Sequence, residues 1–217
     1  MKLHIASIHA DSKTAGLSPR QNRRTEVFLA GCKMAMQHHP CPDCFNKDLW
    51  DPTWFPEKDV DDVFKEIFDI GNPYVTIVGG EPLDQYEPLV KLLDKLWMKD
   101  YHTVVITHYT MDDLKQRYPD VLGFAQCVID GPYIKELRCF DECKTPGIYK
   151  VIGSSNQNLW YFDWEMAEWR KADLKNKDEI KKAYGCLQKK KGGGSRDPGR
   201  DDRRNLVSHG YRAPAED

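Results

Sequence analysis

Apolar strands, tight turns and amphipathic helices alternate along most of this chain, and the alternation restricts it to an α/β architecture built on parallel strands. Short apolar runs at Lys2–Ile8, Thr25–Ala30, Tyr74–Val78, Thr103–Thr107 and Phe124–Ile129 read as strands. Between them, Asp59–Ile70 carries Val60, Val63, Phe64, Ile67 and Phe68 at helical spacing, with acids in its first turn and Gly71-Asn72 as its stop. Tyr86–Met98 sets Leu89, Leu92, Leu93 and Leu96 on one face, and Met111–Arg117 follows Thr110 as a cap. In such architectures ligands gather at the carboxyl ends of the strands. The 217 residues suffice for one core with appendages. A domain is expected over 1–162, a helical extension over 163–187 and a disordered tail over 188–217, where Gly, Pro and charge leave too little apolar surface to order the chain.

Three of the seven cysteines, Cys32, Cys41 and Cys44, lie in GCKMAMQHHPCPDCFN, directly after the strand that ends at Gly31. Cys-Pro-Asp-Cys puts two thiols on one turn, and Cys32 supplies a third from the strand end. Three thiolates suit a cubane iron–sulfur cluster that keeps one iron open, whereas a closed zinc site takes four ligands. His38 and His39 either complete such a zinc site or stand solvated. Read alone, the CxxC is equally a zinc-ribbon half, a redox pair or two free thiols. The odd cysteine count fits reduced thiols better than a secreted disulfide framework, and the N-terminus lacks a signal peptide's apolar centre, so the expected location is the cytoplasm. A net charge of −2 makes no case for nucleic acid or an anionic membrane as the main partner, and no apolar run approaches the roughly 18 residues that span a bilayer.

Other polar motifs stand at strand ends. Gly79-Gly80-Glu81-Pro82 follows the Tyr74 strand, with glycines that permit a close backbone approach and a carboxylate suited to an ammonium group. Thr107 and His108 end the next strand, and Asp130-Gly131-Pro132 the one after. Ser154, Ser155 and Asn156 form a small-residue turn that either donates to a ligand or only turns the chain. Cys139 and Cys143 are expected to be thiols without a ligand role, with a second metal site or a regulatory thiol pair as the alternative. The aromatic stretch LWDPTWFPE packs over the cysteine loop or into the core, and Arg20, Arg23 and Arg24 are expected to be solvated.

The cysteine loop, GGEPL, IDGPY and GSSNQ, in that order from roughly Leu3 to Tyr161, resemble the radical S-adenosylmethionine activating proteins of anaerobic ribonucleoside-triphosphate reductases. The resemblance implies a partial (β/α) barrel with a helical, partly disordered C-terminal extension, and a 4Fe-4S cluster on Cys32, Cys41 and Cys44. It implies S-adenosylmethionine on the open iron, with its amino group at Gly79, Gly80, Glu81 and Pro82. Phe45 would lie near the adenine, with Thr107, His108, Asp130, Ser154, Ser155 and Asn156 lining the pocket. The implied reaction is reductive cleavage to a 5′-deoxyadenosyl radical that makes a glycyl radical on the large reductase subunit. An electron donor such as flavodoxin or ferredoxin would supply the electron.

Two features depart from that family. Eight residues separate Cys32 from Cys41 instead of the usual three, and Ile152 stands where the family has an arginine. Two other functions compete: a radical enzyme acting on a small molecule, similar to carboxy-deazaguanine synthases, and a non-catalytic zinc-binding module.

Overall fold

The computed structural model describes residues 1–139 and 151–186; Cys143 and the expected tail lie outside the described residues. In chain order the strands and helices are β1 (Lys2–Ser12), β2 (Arg24–Leu29), α1 (Lys33–Met36), β3 (Glu57–Asp59), α2 (Val60–Ile70), β4 (Tyr74–Gly79) and α3 (Tyr86–Met98). There follow β5 (His102–Ile106), α4 (Met111–Arg117), α5 (Pro119–Phe124), β6 (Cys127–Asp130), β7 (Asn158–Asp163), β8 (Glu168–Lys171) and α6 (Lys177–Ala183). The strands form one mixed sheet in the order β3-β1-β2-β4-β5-β6-β7-β8. Its centre, β2-β4-β5-β6, is parallel, and both flanks are antiparallel. β2 and β4 are therefore neighbours, although α1, β3 and α2 intervene in sequence, and their carboxyl ends lie side by side. Among the described residues no helix is long and apolar enough to cross a membrane.

Side-chain alternation along the strands splits the core in two. Val105 and Val128 face one side, where they pack with Val63 and Ile67 of α2 and the leucines of α3. Val104, Cys127 and Ile129 face the other, against Ile180, Ala183 and Tyr184 from α6 and its end. The helix expected at 59–70 begins one residue later, with Asp59 as its N-cap, and those expected at 86–98 and 111–117 form as read. A capping box in which Thr110 and Asp113 exchange side-chain and backbone hydrogen bonds starts the third of them.

Two expectations are corrected. Phe124 ends α5, a helix with Pro119 at its first turn, so the strand read from Phe124 begins at Cys127. The extension read as helical from Asp163 is a hairpin followed by one short helix. The carboxylate of Asp163 accepts from the Glu165 N–H, Ala167 takes a left-handed φ of 54°, and Glu168–Lys171 returns to pair with β7. Trp164, Met166 and Ala167 favour a helix locally, but the turn and the free edge of β7 override that preference.

Arg24 is not solvated: it is fully buried. Its guanidinium donates to the Thr76 hydroxyl and to the carbonyls of Leu17, Val75 and His102 at 2.8–3.0 Å, between the rings of Tyr74 and Tyr184. Carbonyl dipoles and aromatic faces thus hold a buried cation. Burial lowers its pKa to about 10. His102 Nε2 lies 3.0 Å from the Ala183 carbonyl and so carries the ring proton, leaving Nδ1 to accept from Arg24 at 3.3 Å. Burial and the adjacent guanidinium lower the His102 pKa to about 3.

A depressed histidine contributes stability that is fully present above its unfolded pKa and lost as pH falls toward its folded value. Urea unfolding is therefore expected to show stability falling from about pH 6.5 to about 3, by at most roughly 5 kcal/mol from this group. His102→Gln, which keeps a donor and an acceptor but does not titrate, removes that component. An unchanged pH profile in the variant would exclude His102 as its source.

Candidate metal centre

The cysteine loop is built by backbone bonds at the end of β2. Gly31, at φ 102°, donates to the Leu49 carbonyl at 2.7 Å, and the Cys32 N–H donates to Trp50 at 2.9 Å. The stretch around LWDPTWFPE thus supports the loop through its backbone, while Trp54 is 69% exposed and is not a core residue. Cys32 precedes α1, and Asp84 accepts from the Lys33 N–H at 2.6 Å. Cys41 and Cys44 share one turn, closed by the Cys44 N–H on the Cys41 carbonyl at 3.1 Å, with Asp43 at a left-handed φ of 54°. An Asp43–Lys135 ion pair at 2.7 Å moors that turn.

The three thiols are close enough to feel one another, Cys32 with Cys41 and Cys41 with Cys44. Burial pushes Cys32 up to about 11, and Glu81 and Asp84 reinforce the shift. Burial and the Cys44 thiol likewise raise Cys41. A metal held by these thiols would offset that cost by binding the thiolate form directly. Among the described residues no three His, Cys, Asp or Glu side chains close around a single ion position. His38 and His39 are exposed, the solvated arrangement of the two expected for them. The thiols are the soft ligand type that iron–sulfur clusters take, and the nearby Glu81 and Asp84 carboxylates are already engaged by the Leu83, His108 and Lys33 N–H groups, so the cysteine set fits such a group.

The GGEP turn is joined to this loop. The Gly80 N–H donates to Leu29 and the Glu81 N–H to Gly31, at 2.8 and 2.7 Å. A Cβ at Gly79 would fall 2.0 Å from the Leu29 oxygen, and one at Gly80 2.1 Å from the Gly31 oxygen. The glycines permit a close approach, as expected, but the chain they approach here is the end of β2. Pro82 opens the following 3-10 turn and is buried.

Glu81 is 1% exposed and its carboxylate is fully engaged. Oε1 accepts from the Leu83 N–H at 2.9 Å and the Thr107 hydroxyl at 2.7 Å. Oε2 accepts from the His108 N–H at 2.9 Å and meets His108 Nδ1 at 2.8 Å. The structure thus brings Thr107 and His108 onto Glu81. Burial opposes a charge on His108, but the Glu81 hydrogen bond, with Asp84 and Asp113 nearby, outweighs it and raises the imidazole pKa.

The remaining candidates form a second knot. Asp130 is buried and accepts from the Met111 N–H at 2.7 Å and Asn158 Nδ2 at 2.8 Å. Ser154 is buried, with its hydroxyl accepting from the Ile134 N–H, while the exposed Ser155 donates its N–H to Leu137. Asn156 donates to the Pro132 carbonyl at 2.7 Å. IDGPY and GSSNQ are thus two halves of one turn system, in which Asp130 and Ser154 serve as pins. Phe45, 53% exposed, packs edge-on against Tyr133 at 5.1 Å.

Sequence reading missed several supports of the site. Asn46 Nδ2 donates to the Gly79 carbonyl at 2.7 Å and ties the cysteine loop to β4. Gln85 bridges His4 and the Ala30 carbonyl. Gln157 clamps the Gly153 N–H and the Gly131 carbonyl. Asn46 and Gln157 are the last residues of the cysteine-loop and GSSNQ motifs, and Gln85 lies two residues beyond GGEPL, so their place in or beside a motif is the available signal.

A mixed α/β sheet that carries three thiols at the end of one parallel strand and a glycine-glycine-acid turn at the end of the next defines an α/β protein with a candidate metal centre. The comparison with known families specifies it further: the chain belongs to the 4Fe-4S single cluster domain family, which matches residues 21–160. It is 27% identical over 145 residues to the anaerobic ribonucleoside-triphosphate reductase-activating protein of Escherichia coli K12, covering 62% of this chain and 85% of that protein. The Salmonella typhi protein of the same name is 26% identical over the same shares. The pyruvate formate-lyase-activating enzyme of Listeria monocytogenes is 30% identical over 99 residues, which cover 43% of this chain and 38% of that enzyme.

Proposed function

We propose that this protein is a radical S-adenosylmethionine activase for an anaerobic ribonucleoside-triphosphate reductase, working in the cytoplasm with a donor such as flavodoxin or ferredoxin. The observation that carries the proposal is the backbone lock between the cysteine loop and the GGEP turn. It sets three thiols beside a buried carboxylate at adjacent carboxyl ends of a parallel sheet. The relatives' names supply the substrate class.

In this reading Cys32, Cys41 and Cys44 hold a 4Fe-4S cluster, which when bound supplies the electron for reductive cleavage of S-adenosylmethionine. Leu29–Gly31 and Gly79–Glu81 hold the two walls of the site at fixed separation. Glu81 provides negative charge for the ligand's ammonium group, and Phe45 offers an exposed ring for adenine. Asp130, Ser154, Ser155 and Asn156 act by keeping the adjoining turns in place. The sheet is read as the open form of a partial (β/α) barrel in the domain expected over 1–162, with the described residues 163–186 of the expected extension packing on its second face.

The test is anaerobic reconstitution, followed by reduction with S-adenosylmethionine and a glycyl-radical reductase. Iron–sulfur absorbance, 5′-deoxyadenosine and a glycyl radical on the reductase are expected. Stoichiometric zinc instead of iron, or 5′-deoxyadenosine with no radical on any such reductase, would overturn the assignment.

A further inference from the structure

Glu81 has no acceptor capacity left. A carboxylate offers about four lone-pair positions, and here the Leu83 N–H, the Thr107 hydroxyl, the His108 N–H and the His108 ring fill them. Two of these donors are backbone and cannot leave without unfolding the turn. Thr107 is 3% exposed, and its hydroxyl also accepts from the Tyr109 N–H, so it is fixed as well. The His108 ring differs. Its side chain is 19% exposed, its ring lies tilted by 32° against Tyr109 at a centroid distance of 4.2 Å, and rotation about its own side-chain bonds would uncover Oε2.

We infer that the His108 imidazole is a built-in placeholder, occupying the carboxylate face that an ammonium-bearing ligand must take, and that ligand binding displaces it. The inference rests on the functional reading above, because that reading supplies the ligand. Both groups meet the same physical need: a buried carboxylate is costly without a cationic or hydrogen-bonding partner, and the imidazole covers it until an ammonium arrives. The charged groups near the ring are Glu81 and Asp84 from the turn after β4 and Asp113 from α4, all acidic, and the neutral Tyr109 ring lies against it. The acids hold its proton while it is paired. Leaving Glu81 takes away its principal partner, so the ring's pKa falls and displacement is coupled to proton release.

Calorimetry of the reconstituted holoprotein with S-adenosylmethionine, in two pH 7 buffers of different ionisation enthalpy, counts those protons. The wild type is expected to release a measurable fraction of one proton per ligand. His108→Ala is expected to release none and to bind about tenfold tighter, because the bound state no longer competes with an internal partner. In the wild type, histidine ring resonances followed by NMR are expected to show the His108 pKa falling when ligand is added, a readout that needs no variant. Weaker binding in His108→Ala, or a His108 pKa that rises with ligand, would overturn the inference and make the ring a ligand-holding group. A holoprotein with an intact cluster that binds no S-adenosylmethionine would instead overturn the functional reading, and the placeholder role with it.

Discussion

Cys44→Ser, like Cys32→Ser and Cys41→Ser, is expected to give a folded protein that retains no stable 4Fe-4S absorbance and cleaves no detectable S-adenosylmethionine. The loss should exceed the roughly 10–100-fold typical of removing a supporting partner, because a ligand itself is removed. The three side chains are not equivalent before loading. Cys32 is buried with its pKa near 11, and Cys41 is raised by burial and by Cys44, so both must lose a proton to bind iron. Cluster loading should therefore quicken as pH rises from 7 toward 9, monitored by absorbance during reconstitution. Cys127→Ser is the control. That thiol is fully buried on the far core and donates to the Ala183 carbonyl at 3.0 Å, so its replacement should alter stability while iron content stays at the wild-type level. If Cys127→Ser lost the cluster and Cys44→Ser kept it, the assignment of ligands would be wrong.

Much of this arrangement is legible in the sequence, for identifiable reasons. Local hydrophobic period locates the central strands and helices α2, α3 and α4 because each buries its own apolar face. The cysteine turn is legible because its residues are neighbours. What is not legible depends on partners distant in the chain. Nothing local to Glu81 reveals that Thr107 and His108 will fill its carboxylate, since that follows from β4 and β5 being paired in register. Arg24 looks like the third of three surface arginines until β4 and β5 supply the carbonyls that receive it. The β8 hairpin fails for a related reason: its residues favour a helix, and only the unpaired edge of β7 makes a strand the better state.

Gly80→Ala is expected to be a severely damaging single-methyl change, although Gly80 does not have the positive φ of its neighbour Gly79. The added Cβ would sit 2.1 Å from the Gly31 oxygen and 2.7 Å from its carbonyl carbon, both backbone atoms that no rotamer change can move. Relief requires the ends of β2 and β4 to separate, which breaks the bonds from Gly80 to Leu29 and from Glu81 to Gly31 and displaces Cys32 from the other two thiols. With two buried backbone hydrogen bonds at stake in addition to the overlap, a loss of about 3 kcal/mol or more is expected in urea unfolding. Gly71→Ala provides the contrast. Gly71 ends α2 at φ 69° with nothing within 4 Å of the added methyl, so its cost is the left-handed backbone alone, about 1 kcal/mol. The ordering of the two variants separates a steric requirement between strands from ordinary glycine conformational preference. Iron content then links it to function: Gly71→Ala should reconstitute like the wild type, whereas any Gly80→Ala that folds should bind less iron. Equal stability and equal iron in both variants would mean that the two strand ends do not meet as described, and that the thiols and the acidic turn are positioned independently.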